Sequence, residues 1–211
     1  PDDPNSISSN TVWEICQDKD GAVLLATEGG GLCKYTEGKF YAYKKDTINS
    51  SGSISGNFIR SVAIDKDGNI WAGTYASGIN KLDKEKNIFI NYRNDPNNAN
   101  SLSNNFVSSI FTDSNGELWI GTGGGGLNKY DHSADKFKSY KNDGNDLNSI
   151  SSNFVNSISE ESHGILLIAT QNGLNKFDKS TGKFERIRIN HEDKLKNENI
   201  LILNQGMNGG Y

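Results

Sequence analysis

The feature that most constrains the fold of this chain is a sequence unit of 47 or 48 residues that occurs four times in phase. Each unit opens with an asparagine and two further residues, at positions 10–12, 57–59, 105–107 and 153–155. A glycine and a threonine keep the same phase in every unit: Gly21, Gly68, Gly116, Gly164, Thr27, Thr74, Thr122 and Thr170. Self-similarity at this period is typical of solenoids, propellers and other repeat arrays.

Each unit has the pattern of four short β-strands. In the second unit, strand one covers 62–64, a glycine-containing turn covers 65–69, and strand two covers 70–74. Glycine tolerates the positive φ that such a tight turn requires. The third strand is represented by 126–130, and the fourth surrounds a phenylalanine: Phe40, Phe89, Phe137 or Phe184. Helical periodicity is missing, so the sequence predicts an all-β propeller built from four-stranded antiparallel blades, four of them in this chain.

The repeat also sets the expected domain boundaries. We predict an inter-blade linker at 1–9, blades at 10–56, 57–104, 105–152 and 153–190, and a C-terminal segment at 191–211 that can start a fifth blade. The chain opens in linker-like sequence without a methionine, so we expect a section of a longer protein. Blades at the ends of an array have uncovered faces. We therefore expect either a partial ring or a ring closed by dimerisation, with two copies forming eight blades.

Composition excludes several classes of partner. The formal charge is −4 and the lysines and arginines are scattered, which argues against nucleic acid. The longest apolar run near the C-terminus, 200–203, is far too short to insert into a membrane.

The two cysteines, Cys16 and Cys33, fall on the first and third strands of one blade. Those strands lie two strand spacings apart, so we expect two free thiols.

The most regular unit carries a recognisable motif. The segment from Asp113 to Thr122 reads Asp-Ser-Asn-Gly-Glu-Leu-Trp-Ile-Gly-Thr, and a Gly-Leu pair follows at 126–127. This pattern closely resembles the two-component regulator propeller repeat, and 65–74 resembles it nearly as well. The first and last units depart from it, with leucine in place of the tryptophan and alanine in place of the following glycine. The resemblance covers residues 10 to 189, and the Gly-His and Trp-Asp marks of WD40 blades are missing.

The resemblance implies a function as well as a fold. Strings of such blades form the periplasmic or extracellular sensor region of bacterial hybrid two-component sensor kinases, as part of a membrane-anchored protein. Many of these sensors detect glycan-derived oligosaccharides, so an oligosaccharide is the expected ligand and enzymatic activity is not expected. Because propellers host many functions, two alternatives stay open. One is a module attached to a carbohydrate-active enzyme such as a polysaccharide lyase, and the other is a purely structural protein-interaction propeller.

The candidate chemical motifs favour turns over active sites. The glycine-rich turns at 29–31 and 123–126 lead into strands and not helices, unlike a P-loop. The acidic hairpins at 18–21 and 65–69 resemble the start of an EF-hand loop but lack its twelfth-position glutamate, so the residues are expected to cap turns. The three histidines, His132, His163 and His191, are expected to be solvated. The sequence predicts no catalytic residues, no metal site and no cofactor.

A ligand site is expected where the units differ on one face of the propeller. The residues just after the repeated threonine are Glu28, Tyr75, Gly123 and Gln171, and those early in strand one are Trp13, Arg60, Ser108 and Asn156. Both sets should lie near one mouth of the central channel. From them we predict a polar-ligand site made of Trp13, Glu28, Arg60, Tyr75, Asn156 and Gln171. The framework tryptophans, Trp71 and Trp119, are expected to pack between blades.

Overall fold

The computed structural model describes residues 5–48, 51–187 and 200. Regular structure in these residues is entirely β, with sixteen strands in four separate four-stranded antiparallel sheets. In every sheet the strands are hydrogen-bonded in sequence order, which is the connectivity of a propeller blade. The predicted all-β propeller architecture is therefore confirmed. No helix long and apolar enough to span a membrane occurs in the described residues.

The first two blades contain eight strands of five or six residues. The strands of blade 1 are β1 (Val12–Gln17), β2 (Val23–Thr27), β3 (Leu32–Thr36) and β4 (Lys39–Tyr43). The strands of blade 2 are β5 (Ile59–Ile64), β6 (Ile70–Thr74), β7 (Ile79–Asp83) and β8 (Ile88–Tyr92). The second strand of this blade coincides with the bounds expected from the sequence.

The last two blades repeat the arrangement with slightly longer strands. The strands of blade 3 are β9 (Val107–Thr112), β10 (Leu118–Thr122), β11 (Gly126–Asp131) and β12 (Lys136–Tyr140). The strands of blade 4 are β13 (Val155–Ser162), β14 (Ile165–Thr170), β15 (Gly173–Asp178) and β16 (Lys183–Ile187). The first and second strands of every blade show a register shift near the start of strand one.

Hydrophobic side chains form the core in three layers, each between two neighbouring blades. Every residue of β6 and β10 is buried, because the second strand has a sheet neighbour on each side and a blade against each face. Trp71 of blade 2 packs with Leu118 and Tyr130 of blade 3. Trp119 of blade 3 packs in the same way with Leu166 and other residues of blade 4. The predicted inter-blade position of both tryptophans is thus observed.

The residues that keep the repeat in phase hold each blade to the next. The backbone carbonyl of Asn105 accepts a hydrogen bond from the amide of Gly78 (2.9 Å). Its side-chain oxygen accepts one from the amide of Asn94 (2.8 Å). The hydroxyl of Thr74 donates to the Gly78 carbonyl and closes the turn between strands two and three (2.8 Å). Equivalent bonds are made by Asn57, Asn153, Thr27, Thr122 and Thr170.

The face of blade 1 that points away from blade 2 is uncovered. Ile15 is 61% exposed, whereas the residues at the same repeat position, Val62, Ile110 and Ile158, are 2%, 4% and 5% exposed. Each of those three is covered by the preceding blade. Tyr35 is likewise exposed although its counterparts in the later blades are buried. The four described blades therefore form an open array and not a closed ring.

A single described residue lies beyond blade 4. The carbonyl of Ile200 accepts a hydrogen bond from the Asn156 side chain (2.8 Å). The carbonyl of Val155 accepts the equivalent bond from the Ser108 hydroxyl (2.5 Å). Because Asn156 and Ser108 occupy the same repeat position, Ile200 lies where the first strand of a following blade would begin. The rest of the predicted segment 191–211 lies outside the described residues.

Both cysteines are free, as the strand spacing predicted. Cys16 lies on β1 and Cys33 on β3, with β2 between them. Burial raises the pKa of the Cys16 thiol to about 12, and the neighbouring carboxylates of Glu14 and Asp18 act in the same direction. The thiolate that reacts with electrophiles is therefore scarce at neutral pH.

Candidate functional site

The first strand of each blade and the turn between its second and third strands meet at one end of the array, here called the upper face. The same backbone hydrogen bond, of 2.9–3.1 Å, occurs in all four blades. The amide of the residue after the repeated threonine donates to the carbonyl of the residue just before strand one. The pairs are Glu28 with Thr11, Tyr75 with Phe58, Gly123 with Phe106 and Gln171 with Phe154. Neighbouring first strands also pack against one another, so their early residues line the inner edge of the array, here called the channel because a closed ring would have its central channel there.

A cavity of about 550 Å³ opens on the upper face where blades 1, 2 and 3 meet. Its lining contains four of the six predicted ligand-binding residues, together with three apolar ones: Trp13, Glu28, Arg60, Tyr75, Phe58, Ile59 and Phe106. The cavity thus combines aromatic walls with one guanidinium and one carboxylate, a mixture typical of sites for polar ligands with apolar faces. We call this cavity the aromatic pocket.

Two of these side chains are stacked on each other. The guanidinium carbon of Arg60 lies 3.8 Å from the ring centroid of Trp13. This cation–π contact fixes both side chains, although the Trp13 ring is still half exposed. Because Trp13 starts blade 1 and Arg60 starts blade 2, the pair joins the two blades at the channel mouth. The stack presents an aromatic surface beside a set of planar N–H donors.

The opposite wall is also aromatic. Tyr75 is 60% exposed, and its ring centroid lies 4.7 Å from that of Phe106 on the next blade. Phe58 also exposes more than half of its surface. Aromatic side chains of three blades therefore face one space, exposed on blades 1 and 2 and partly buried on blade 3. Such clusters mark interaction sites more often than scattered apolar residues do.

A partly buried carboxylate lies below the pocket. Glu14 on β1 accepts hydrogen bonds from the Ser61 hydroxyl (2.5 Å) and the Val62 amide (2.8 Å). Burial raises the pKa of Glu14 and outweighs these bonds and the nearby positive charge of Arg60. Glu14 lines a second cavity of about 600 Å³ along the channel, which shares Trp13 and Arg60 with the aromatic pocket.

The remaining two predicted residues lie elsewhere on this face. Asn156 lines the channel cavity and not the aromatic pocket, and its amide is bonded to Ile200. Gln171 lines a third, amide-rich cavity of about 570 Å³ between blades 3 and 4, next to Phe154. The structure therefore brings four of the six residues together, places one adjacent to them, and leaves one on another blade.

Sequence reasoning missed the phenylalanines of the upper face. In the sequence, Phe58, Phe106 and Phe154 belong to the motif that opens each unit, yet the structure places each beside a cavity. Their neighbours in the motif, the asparagine and the branched residue, have clear structural roles, whereas an exposed aromatic ring has none. Gly123 contributes by its lack of a side chain, because a Cβ there would lie 2.2 Å from Phe106.

The acidic hairpins lie at the opposite end of the array, here called the lower face. As predicted, they are capped turns. One oxygen of Asp65 accepts the amides of Asp67 (3.0 Å) and Asn69 (2.8 Å), and the other accepts the indole N–H of Trp71 (2.8 Å). Burial opposes ionisation of Asp65, but the bonds from Trp71 and Asn69 hold its pKa below the usual value.

Two of the three histidines are in the described residues, and they differ. His163 is exposed, as expected, with Nδ1 3.1 Å from the Ser114 hydroxyl. The expectation of a solvated side chain is wrong for His132, which is only 19% exposed. Its ring stacks edge-on against Tyr130 and faces the acidic hairpin of the preceding blade. His191 lies outside the described residues.

Comparison with known proteins agrees with this architecture. Residues 53–76 and 101–124 match the two-component regulator propeller family. The chain is 27% identical to the extracellular domain assigned to a hybrid two-component system of B. thetaiotaomicron, with a TM-score of 0.81. The match covers 96% of this chain but 27% of that protein, so this chain spans about a quarter of its length. The two matched segments lie in and just before blades 2 and 3.

More distant structures share the fold alone. Virginiamycin B lyase from Staphylococcus aureus is 19% identical with a TM-score of 0.63, over 89% of this chain and 58% of the lyase. An ancestral GH74 enzyme is 16% identical with a TM-score of 0.66, over 91% of this chain and 25% of the enzyme. Among curated protein sequences, none matches this chain.

Proposed function

We propose that this chain is a non-enzymatic, ligand-sensing section of the extracytoplasmic region of a two-component regulator, and that its ligand is a glycan-derived oligosaccharide. The observation that carries the proposal is the aromatic pocket, which occupies the channel mouth of a chain with regulator propeller repeats. The extracellular placement of the similar B. thetaiotaomicron domain supports a periplasmic or extracellular location.

The chemistry of the aromatic pocket favours a saccharide. The flat rings of Trp13, Tyr75 and Phe58 offer apolar surfaces on which the C–H faces of sugar rings can stack. The Arg60 guanidinium and the Glu28 carboxylate add the hydrogen-bonding groups that a polyhydroxylated ligand needs for orientation. A pocket of about 550 Å³ accommodates a short oligosaccharide.

Binding at this position can be transmitted because three blades contribute to it. Trp13, Arg60 and Phe106 lie on or next to the first strands of blades 1, 2 and 3. A ligand that contacts all three stabilises one relative arrangement of the blades, and it shifts the population towards that arrangement by its differential affinity. The sensing signal would then be a change in blade packing rather than a chemical product.

The enzymatic alternative makes a different demand on the site. Glycosidases use a pair of carboxyl groups that flank the scissile bond. The two carboxylates nearest the pocket are unequal in access, because Glu28 is exposed on the rim whereas Glu14 is bonded to Ser61 and Val62 below it. This arrangement supports binding over hydrolysis, and product analysis tests it directly.

Calorimetric titration against a panel of neutral and acidic glycan fragments tests the proposal. We expect saturable heat with one fragment class at one site per chain, without new products in chromatography of the mixture. Tyr75→Ala and Phe58→Ala should weaken binding at least tenfold. The matched control is Tyr41→Ala, which removes an exposed aromatic ring on the outer strand β4 and should bind normally.

Each other outcome has a definite meaning. Cleaved fragments would establish the enzymatic alternative. Equal loss of affinity in the Tyr75 and Tyr41 variants would place the ligand outside the aromatic pocket. Absence of heat with every fragment would favour the structural, protein-interaction alternative.

We further propose that copies of this chain self-associate through the uncovered face of blade 1. Ile15 and Tyr35 would be covered there as their counterparts are inside the array. Removal of these apolar side chains from water would favour association. Sedimentation velocity should show a concentration-dependent dimer that Ile15→Asp disrupts. A monomer at all concentrations would contradict this.

A further inference from the structure

The lower face repeats one contact between neighbouring blades. The hairpin after strand one of a blade holds a buried aspartate, and the turn after strand three of the next blade approaches it. Between blades 3 and 4, Lys179 places its Nζ 2.6 Å from Oδ2 of Asp113. The same oxygen also accepts the indole N–H of Trp119 (2.9 Å). The Asp113 carboxylate therefore accepts a cation in addition to its tryptophan donor. The equivalent oxygen of Asp65 accepts the Trp71 indole and the Asn69 side-chain amide.

Between blades 2 and 3 the lysine is replaced by a histidine. His132 follows Asp131 as Lys179 follows Asp178, and Asp65 corresponds to Asp113. Nδ1 of His132 lies 3.9 Å from Oδ2 of Asp65. It lies 3.7 Å from Oδ2 of Asp67, which has an asparagine as its counterpart in the next blade. Both distances are too long for a hydrogen bond.

The spacing suits three ligands of one metal ion. Nitrogen and carboxylate ligands lie about 2.0–2.2 Å from zinc, so two ligands at the tetrahedral angle are about 3.4 Å apart. The observed separations are 3.7 and 3.9 Å, and the three ligand atoms lie within 4.8 Å of one another. The Asp67 side chain is 58% exposed, so it is free to move inwards and leaves access for a water ligand.

The environment of the histidine leaves Nδ1 as the ring nitrogen that can bind an ion. The second ring nitrogen of His132, Nε2, is enclosed and has no hydrogen-bond partner in the part of the chain that the structure describes. A metal ion bound at Nδ1 would lie between the carboxylates of Asp65 and Asp67.

We propose that Asp65, Asp67 and His132 bind one divalent transition-metal ion that bridges blades 2 and 3 on the lower face. An imidazole ligand selects zinc, copper or nickel over calcium and magnesium, which prefer oxygen ligands. The ion would pair with the hairpin carboxylates between blades 2 and 3, as the Lys179 ammonium pairs with Asp113 between blades 3 and 4. It is independent of the aromatic pocket, which lies on the opposite face.

Zinc chloride alone is the probe. Calorimetry of the chain with Zn²⁺ should give one saturable site. At a hundredfold excess over Kd, the thermal unfolding midpoint should rise by roughly 5–10 °C for a chain of this size. EDTA should reverse the shift. Calcium chloride at the same concentration should leave the midpoint unchanged.

The variants separate this site from adventitious binding. His132→Lys copies the arrangement of Lys179 and should fold with normal stability while it loses both the zinc heat and the midpoint shift. Asp67→Asn copies the neighbouring blade, which has Asn115 there, and should also lose them. His163→Gln removes the exposed histidine and should bind zinc normally. Saturable zinc binding that persists in His132→Lys, or no saturable binding in the unmodified chain, would overturn the proposal.

Discussion

Replacement of Lys179 by methionine should strongly destabilise the interface between blades 3 and 4. The side chains of Lys179 and Asp113 are 10% and 0% exposed, so solvent screens their ion pair little. The same ammonium lies 3.5 Å from a carboxylate oxygen of Glu160 and 3.9 Å from one of Glu117. Methionine preserves most of the volume but leaves three carboxylates without their shared cation.

The expected loss follows from the burial of the pair. Removal of one partner of a buried ion pair costs about 3–5 kcal/mol. Asp113 keeps its bonds from Trp119 and the Glu117 amide, so we expect the lower end, about 3 kcal/mol. For a domain of this size that loss lowers the thermal unfolding midpoint by roughly 6–12 °C. Denaturant unfolding followed by tryptophan fluorescence measures the free energy directly.

The pH dependence gives the prediction a second signature. Burial opposes the charge of Asp113, but the Lys179 bond and the Trp119 bond hold its pKa below the usual value. The stability that Asp113 contributes is therefore present above its unfolded pKa, about 3.9, and is lost as pH falls through the lower folded pKa. Without Lys179 the uncompensated burial should raise the pKa of Asp113, so the deficit of Lys179→Met should shrink from pH 7 to pH 4.

The matched control is Lys129→Met. Lys129 pairs with Glu117 on the same face, but both side chains are about one-third exposed. A pair of this kind contributes about 0–1 kcal/mol. If Lys179→Met costs no more than Lys129→Met, or if its deficit is unchanged at pH 4, the buried ion pair does not hold blades 3 and 4 together.

Two further substitutions and one thiol modification test the packing between blades. Trp71→Phe removes the indole donor to Asp65 and should cost about 1–3 kcal/mol in denaturant unfolding, with a smaller cost in an Asp65→Asn background. Gly121→Ala places a Cβ 2.6 Å from Val155 and should cost about 1–3 kcal/mol, largely recovered by Val155→Ala. Cys16, with a thiol pKa of about 12, should resist iodoacetamide at pH 8 in the folded chain and react rapidly in denaturant.

The fold was predictable because each blade is built from local signals. The alternation of glycine turns and short apolar runs fixed β6 and β10 to the residue, since a fully buried second strand has to be a continuous apolar run. The repeat position also predicts that Trp13 and Arg60 lie at the channel mouth, where the structure has them. Residues at the same repeat position lie at the same place in their blades, so the repeat alone predicts where Trp13 and Arg60 lie.

The rest of the candidate sites depends on contacts between blades, which no local sequence pattern encodes. His132 reads as a turn residue in its own blade, and its carboxylate neighbours belong to the preceding hairpin more than sixty residues earlier. Phe58 and Phe106 were hidden by their regularity, because a residue that recurs in phase looks like framework. Gln171 has the same repeat position as Tyr75, yet it lies on another blade and lines another cavity.

Hydrogen exchange, recorded with and without the pooled glycan panel, tests most directly whether the upper face is the ligand site. The account predicts slower exchange in the peptides that contain Phe58, Arg60 and Tyr75, where strand one of blade 2 and its strand two–three turn are joined by backbone bonds. The lower-face hairpin at 65–69 should exchange at an unchanged rate. Protection confined to that hairpin, or an unchanged upper face, would contradict the account.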